Sequence, residues 1–274
     1  FTKADLEAIL LRNEMTKFRA TQMYEWLYKQ FVLDFSQMTN IKKEILAKIG
    51  TLFSFTELEL VDVHIAEDKT RKYLFRLEDG HLIETVLMRQ YYGNSICVTT
   101  QVGCNMGCSF CASGTIKKQR NLTTAEIVLQ VVQIARELAL ENARVSHIVI
   151  MGIGEPFDNY ENTMKFIQVV NDPKGLEIGA RHITVSTCGI VPKIKEFAHF
   201  PLQVNLAISL HFAYNNKRAQ HMRINQRYPI EELLEAIRYY YQQTNRKITF
   251  EYILLRGIND TKEDAIALAH LLKE

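Results

Sequence analysis

The stretch Cys97–Gly114, CVTTQVGCNMGCSFCASG, holds four of the chain's five cysteines, the last three spaced C-x3-C-x2-C at Cys104, Cys108 and Cys111. It begins inside an apolar run, SICVTTQVG (95–103), and is followed by TTAEIVLQVVQIARELAL (123–140), whose apolar residues recur with helical period. The same strand-then-helix order repeats to the end of the chain. RVSHIVIMG (144–152) leads to NYENTMKFIQVV (159–170), and RHITVST (181–187) to PKIKEFAHF (192–200). VNLAISLH (204–211) leads to IEELLEAIRYYYQQ (230–243), and KITFEYILL (247–255) to KEDAIALAHLLKE (262–274). Five βα units with almost wholly apolar strands predict an α/β fold of parallel strands buried on both faces. Right-handed crossovers wind such units into a barrel or part of one.

The unusual residues fall after strands. The cysteine loop follows the first strand and GIGEPF (152–157) the second; STCG (186–189) ends the third and SLH (209–211) the fourth. All four belong to the C-terminal rim, where barrel active sites are built. Upstream the periodicity changes. TKADLEAILLR (2–12), ATQMYEWLYKQF (20–31) and KKEILAKIG (42–50) read as helices, the first opened by Thr2 and Asp5 as a capping box, the last closed by Gly50 as a C-cap. Trp26 and Tyr28 read as core and rim of this small bundle. From Glu57 to Arg89 the period is two, predicting three antiparallel strands with a hairpin turn at Asp79-Gly80. The predicted organisation is a helical domain (1–55), an antiparallel β linker (56–94) and a partial barrel (95–274).

With 274 residues, 47% hydrophobic and 23% charged, the chain has an ordinary globular composition. A net charge of +2 neither demands nor excludes a nucleic-acid partner. No apolar run approaches the roughly 20 residues of a membrane span, and no secretory leader opens the sequence. Five cysteines, an odd number with four of them in one short stretch, do not form a secreted disulfide framework; they fit thiolates kept for metals or chemistry in a reducing compartment, the cytoplasm. The chain begins at Phe1 and stops inside a helical pattern, so it reads as part of a longer protein.

Three thiolates at this spacing suit zinc or an iron–sulfur cluster. Zinc normally takes four closed ligands, so Cys188 or Cys97 would have to complete the set. A 4Fe-4S cluster held by three thiolates keeps one iron open to a substrate. C-x3-C-x2-C with an aromatic before the last cysteine, placed after the first strand of a βα barrel, resembles the radical S-adenosylmethionine (SAM) enzymes. The likeness extends to IETVLM (83–88), CVTTQVGC (97–104), KKQRNLTTAEI (117–127), MGIGEPFDN (151–159), ARHITVST (180–187), AISLH (207–211), INQRYPIEEL (224–233) and RGINDTKEDA (256–265). Together these resemble the RlmN-type adenine-C2 RNA methyltransferases over essentially the whole chain.

The resemblance implies a partial (βα)6-type radical SAM barrel, a 4Fe-4S cluster on Cys104, Cys108 and Cys111, and two SAM molecules per turnover. It assigns Gly154 and Glu155 to the amino and methionine end of SAM, and Ser186, Ser209, Leu210 and His211 to its ribose and carboxylate side. Adenine C2 lies between two ring nitrogens and is too electron-poor to attack a sulfonium methyl. A carbon radical adds to it. The resemblance implies that one SAM first methylates a cysteine of the enzyme and that a second supplies the radical that abstracts hydrogen from that methyl, so that covalent catalysis divides one inaccessible step into feasible ones. In this family Cys97 matches the thiol that resolves the adduct through a disulfide, and Glu84 the proton acceptor. Apolar neighbours on either side of Glu84 are expected to raise its pKa. No cysteine follows Cys188 in the sequence, so the methyl-carrying cysteine is expected beyond Glu274.

The implied partners are 23S rRNA at the peptidyl-transferase centre, a tRNA anticodon-loop adenine as a second target, and a flavodoxin-type electron donor. Lys117, Lys118, Arg120, Arg218, Arg223, Lys42, Lys43 and Lys48 are candidates to grip phosphate. Two other readings compete. One is a Cfr-type adenine-C8 methyltransferase, which shares the cysteine triad. The other is a non-enzymatic, zinc-stabilised RNA- or ribosome-binding protein.

Overall fold

Thr2 accepts a hydrogen bond from the Asp5 amide at 3.1 Å while the Asp5 carboxylate accepts from the Thr2 amide at 3.0 Å, so helix α1 (Lys3–Arg12) starts on the capping box its sequence announces. The computed structural model describes residues 1–273. Helices α2 (Lys17–Tyr28) and α3 (Lys43–Leu52) complete the N-terminal bundle. Gly50 lies inside α3 rather than capping it. Ile49 and Phe53 are buried and hold the last turn, which outweighs the roughly 1 kcal/mol a helical glycine costs. Tyr24 is wholly buried in the bundle, its hydroxyl donating to the Val169 carbonyl, whereas half-buried Trp26 donates to Asn40 Oδ1 at 2.7 Å.

Strands β1 (Leu58–Ile65), β2 (Arg71–Leu77), β3 (Leu82–Gln90) and β4 (Gly93–Cys97) run as an antiparallel meander. Gly80 takes φ +85° in the β2–β3 turn, a conformation that glycine adopts without a Cβ penalty. Cys97 lies opposite Val86 and Ile96 opposite Leu87, so the antiparallel segment is continuous with the first strand of the βα series. The remaining elements alternate as the periodicity predicts. They are β5 (Gln101–Val102), β6 (Arg120–Asn121), α4 (Thr124–Leu140), β7 (Val145–Ile150), α5 (Tyr160–Asn171), β8 (Ile183–Thr187), α6 (Val191–Phe197) and β9 (Asn205–Ser209). Then come α7 (Asn215–His221), α8 (Ile224–Arg227), α9 (Ile230–Thr244), β10 (Ile248–Glu251) and α10 (Lys262–Leu271). The short helices α7 and α8 have no counterpart in the sequence reading, because seven and four residues are too few to display a helical period.

The chain forms two compact units. The first comprises Phe1–Thr99, Leu122–Gly152 and Glu161–Ile183. In it β4 pairs in parallel with β7, and α4 buries Ile127, Val131, Ile134 and Leu138. Gln130, also buried on α4, accepts from Thr85 Oγ1 and the Thr99 amide and donates to the Thr99 carbonyl, fixing where the chain leaves β4. The second unit comprises Thr100–Asn121, Ile153–Tyr160 and the chain from Thr184 onward. There β8, β9 and β10 run in parallel, and the two-residue ladder of β5 and β6 closes the base of the cysteine loop. Among the described residues no helix is long and apolar enough to cross a membrane.

Candidate active site

The cysteine loop is held by close backbone approaches. The Cys104 amide donates to the Ile116 carbonyl at 2.9 Å, Cys111 to Cys108 at 3.1 Å and Gly114 to Cys111 at 3.0 Å. Gly103 takes φ +74°, and a Cβ there would meet the Lys117 carbonyl oxygen at 2.5 Å; at Gly114 it would meet the Cys108 carbonyl oxygen at 2.6 Å. Only glycine lets the loop fold this tightly. Ser109 ties it to α7, its amide donating to the His221 carbonyl and its hydroxyl lying 2.8 Å from His221 Nδ1. The Phe110 ring stands edge-on to His211 with centroids 5.0 Å apart.

Burial pushes the Cys108 thiol up to about 12, with Cys104 and Cys111 adding to the effect, and burial likewise raises Cys104. Without a bound cation these thiols keep their protons; a metal site binds by displacing them. Among the described residues no three His, Cys, Asp or Glu side chains converge where one metal ion could sit. Cys188 is fully buried, its thiol pushed well up by burial and by Glu155. Three thiols on one loop are soft donors of the kind an iron–sulfur cluster takes.

The strand ends of the same unit supply the polar groups. Glu155 follows β7 and is 4% exposed. Its carboxylate accepts from the Cys188 amide at 2.8 Å and the Phe157 amide at 3.0 Å, bridging two loops and capping the 3-10 turn Pro156–Asn159. Burial drives its pKa up against those two amides, which pull it down. Gly154 takes φ +108°, and a Cβ there would strike the Gln101 side chain, whose Oε1 accepts from the Glu155 amide. Ser186 on β8 and Ser209 on β9 both donate to Glu251 Oε2 at the end of β10, at 2.5 and 2.8 Å. Leu210 is wholly buried and offers only its backbone. His211 is held at φ +58°, a strained setting for a residue with a Cβ. Its Nδ1 accepts from the Ile253 amide at 3.1 Å, which leaves the proton on Nε2, and burial lowers its pKa to about 4.

The structure thus gathers Cys104, Cys108, Cys111, Gly154, Glu155, Ser186, Ser209, Leu210 and His211 into the second unit. Glu84 and Cys97 belong to the first. There they share one face of the β3–β4 pair as diagonal neighbours, because Cys97 lies opposite Val86. Glu84 is not enclosed by apolar side chains as its flanking sequence predicts. Its side chain is 43% exposed and pairs with Lys72 Nζ at 3.0 Å, since strand alternation sends Ile83, Thr85 and Leu87 to the other, buried face.

Two basic candidates are also spent elsewhere. Lys118 pairs with Asp158 at 2.7 Å and Arg218 is completely buried, so neither is available to phosphate; Lys42, Lys43, Lys48, Lys117 and Arg223 are exposed, and Arg120 donates to the Asn121 carbonyl. Sequence reasoning missed Glu251 and Asn259. Buried Asn259 donates to the His211 and Ile253 carbonyls and accepts from the Leu255 amide, fastening the β9 and β10 ends. Its place in RGINDTKEDA was the available signal. An apolar pocket of the first unit, lined by Leu6, Met23, Leu27, Phe53, Val128 and Val132 among others, has no carboxylate, thiol or imidazole in its lining and is no rival site.

The model of the Radical SAM superfamily matches residues 98–269, and that of the ribosomal RNA large subunit methyltransferase N-terminal domain matches residues 1–54. A Spiroplasma citri protein named probable dual-specificity RNA methyltransferase RlmN is 55% identical over 273 residues, covering 100% of this chain and 79% of its own length. The chain belongs to the RlmN family. An Acholeplasma laidlawii protein of the same name is 55% identical over 272 residues, covering 99% of this chain and 80% of the relative. The crystal structure of a radical SAM methyltransferase from Sphaerobacter thermophilus superposes with a TM-score of 0.95 at 43% identity, covering 100% of this chain and 80% of that one. The fold read from the βα alternation is accordingly the partial radical SAM barrel. Membership of this family implies a 4Fe-4S cluster and SAM, which the three-thiol loop and the polar strand ends fit.

Proposed function

We propose that the protein methylates C2 of an adenine in 23S rRNA at the peptidyl-transferase centre, with a tRNA anticodon-loop adenine as second substrate. The observation that carries this reading is the joining, in one unit of an RlmN-family chain, of a three-thiol loop with the polar ends of β8, β9 and β10. Cys104, Cys108 and Cys111 hold the cluster. When bound, it supplies the single electron that breaks a carbon–sulfur bond of SAM. The loop backbone at Gly154 and Glu155 serves the amino end of SAM. Ser186 and Ser209 turn their hydroxyls from Glu251 toward its ribose and carboxylate side. His211 is neutral at pH 7 and donates through Nε2.

Cys97 resolves the base adduct by forming a disulfide with the methyl-carrying cysteine. Glu84 takes the proton from C2. It sits on the Cys97 face, exposed and paired with the equally exposed Lys72. Residues 1–55 dock RNA through exposed Lys42, Lys43 and Lys48, residues 56–94 carry Glu84, and residues 95–274 hold the cofactors. A flavodoxin-type donor in the cytoplasm supplies electrons.

The full-length protein, reconstituted anaerobically with iron and sulfide, is incubated with SAM, reductant and unmodified 23S rRNA, and the nucleosides are read by mass spectrometry. We expect 2-methyladenosine. An 8-methyl product overturns the regiochemistry in favour of the Cfr-type reading. Zinc without iron after anaerobic purification overturns the enzyme reading altogether.

A further inference from the structure

Arg218, on α7, is the largest fully buried side chain of the protein, with 0% exposure. Its guanidinium is spent on neutral acceptors. Nε donates to the Leu210 carbonyl at 3.1 Å and Nη1 to Asn225 Oδ1 at 3.0 Å. Nη2 donates to the carbonyls of Cys188 at 2.6 Å and Ser209 at 3.3 Å. These bonds staple the chain just after β8 to the end of β9, the two strand ends that carry the polar site groups. Among the described residues it pairs with no carboxylate.

An arginine keeps its proton in proteins, and a buried charge without a counter-ion costs several kcal/mol. Cys188, whose carbonyl the guanidinium holds, forms an apolar cluster with Phe212 and Met222, against which Cys108, Met106 and Phe110 of the cysteine loop pack. With no carboxylate partner among the described residues, the cation has no anion to face until one is brought in. An iron–sulfur cluster on Cys104, Cys108 and Cys111 is such an anion.

We propose that Arg218 is the positioning residue that supplies the cluster's fixed counter-charge and thereby sets its reduction potential. The inference rests on the cluster reading above. In the step concerned, a low-potential one-electron donor is oxidised and the cluster is reduced; no bond or proton changes at Arg218. The added electron makes the cluster and its thiolates more negative, and a buried cation fixed on the Cys108 side favours that state, raising the potential.

The test is an anaerobic redox titration of the reconstituted full-length protein, followed by electron paramagnetic resonance, with iron content and melting temperature measured in parallel. Arg218→Met is expected to make the reduction equilibrium at least tenfold less favourable, which for one electron is a fall of about 59 mV. Arg218→Lys keeps the charge but loses the fork of hydrogen bonds, and is expected to stay within about twofold of wild type while melting lower. Where Arg218→Met fails to fold or load iron, Asn225→Asp replaces it. That change sets a carboxylate against Nη1, neutralises the arginine in place and should lower the potential in the same sense.

A purely structural staple predicts lower melting temperatures with the potential unmoved. An equilibrium within twofold of wild type in the iron-loaded neutralised variant overturns the proposal. A wild-type protein that takes up no iron overturns the cluster reading, and this inference with it.

Discussion

Glu84 and Glu155 are both carboxylates flanked in sequence by apolar residues, and the fold treats them in opposite ways. Glu155 is sealed in, 4% exposed, with both oxygens accepting from buried backbone amides of two different loops. Glu84 stands on the exposed face of a strand, ion-paired to Lys72 on the neighbouring strand. The first is therefore suited to hold a site together. The second is suited to meet a substrate, because its partner is an exposed lysine that water already screens. A buried carboxylate that has spent its lone pairs on the backbone is a poor proton acceptor; a solvent-facing one costs little to unpair.

Four measurements would break or sharpen that contrast. The largest effect is expected from Glu84→Gln, which removes the carboxylate proposed to accept the proton. RNA methylation should fall by about 10²–10⁴-fold while the melting temperature stays unchanged. Equal losses of activity and stability would show instead that Glu84 is structural. Glu155→Ala should do the reverse, leaving the Cys188 and Phe157 amides buried without acceptors. At about 2 kcal/mol for each orphaned amide, the expected loss is about 4 kcal/mol by urea denaturation.

The buried side of the contrast also carries a pH signature. His211 falls from 6.5 to about 4 on folding, through burial. Between those values the unfolded chain binds a proton that the folded chain does not. Its contribution is therefore fully present above pH 6.5 and is lost as pH drops toward 4, an effect of roughly 3 kcal/mol. Unfolding curves of the protein and of His211→Asn, whose side chain tolerates the left-handed backbone, should converge as pH falls through that window. Parallel curves would contradict it. The smallest effect belongs to Lys72→Met, which should change stability by less than about 1 kcal/mol in urea denaturation, as expected of an exposed pair.

Much of this was legible beforehand. All five βα units form where the apolar periods place them, because an apolar strand and an amphipathic helix each declare which surface must be buried. The cysteine triad was legible for a similar reason, since ligand spacing is local. Errors arose wherever a residue's neighbours in space differ from those in sequence. Gly50 continues α3 because Ile49 and Phe53 are buried around it. Arg218 and Lys118 looked like phosphate grips until the fold provided carbonyls for one and Asp158 for the other.

The amino-acid sequence by itself determined the order of strands and helices, the thiol loop and the placement of reactive residues at strand ends, since these follow from periodicity and short-range spacing. Tertiary structure alone decided which charges are sealed and which stay open. Desolvation and hydrogen bonding depend on atoms brought together from distant parts of the chain, as when Ser186, Ser209 and Glu251 meet across three parallel strands.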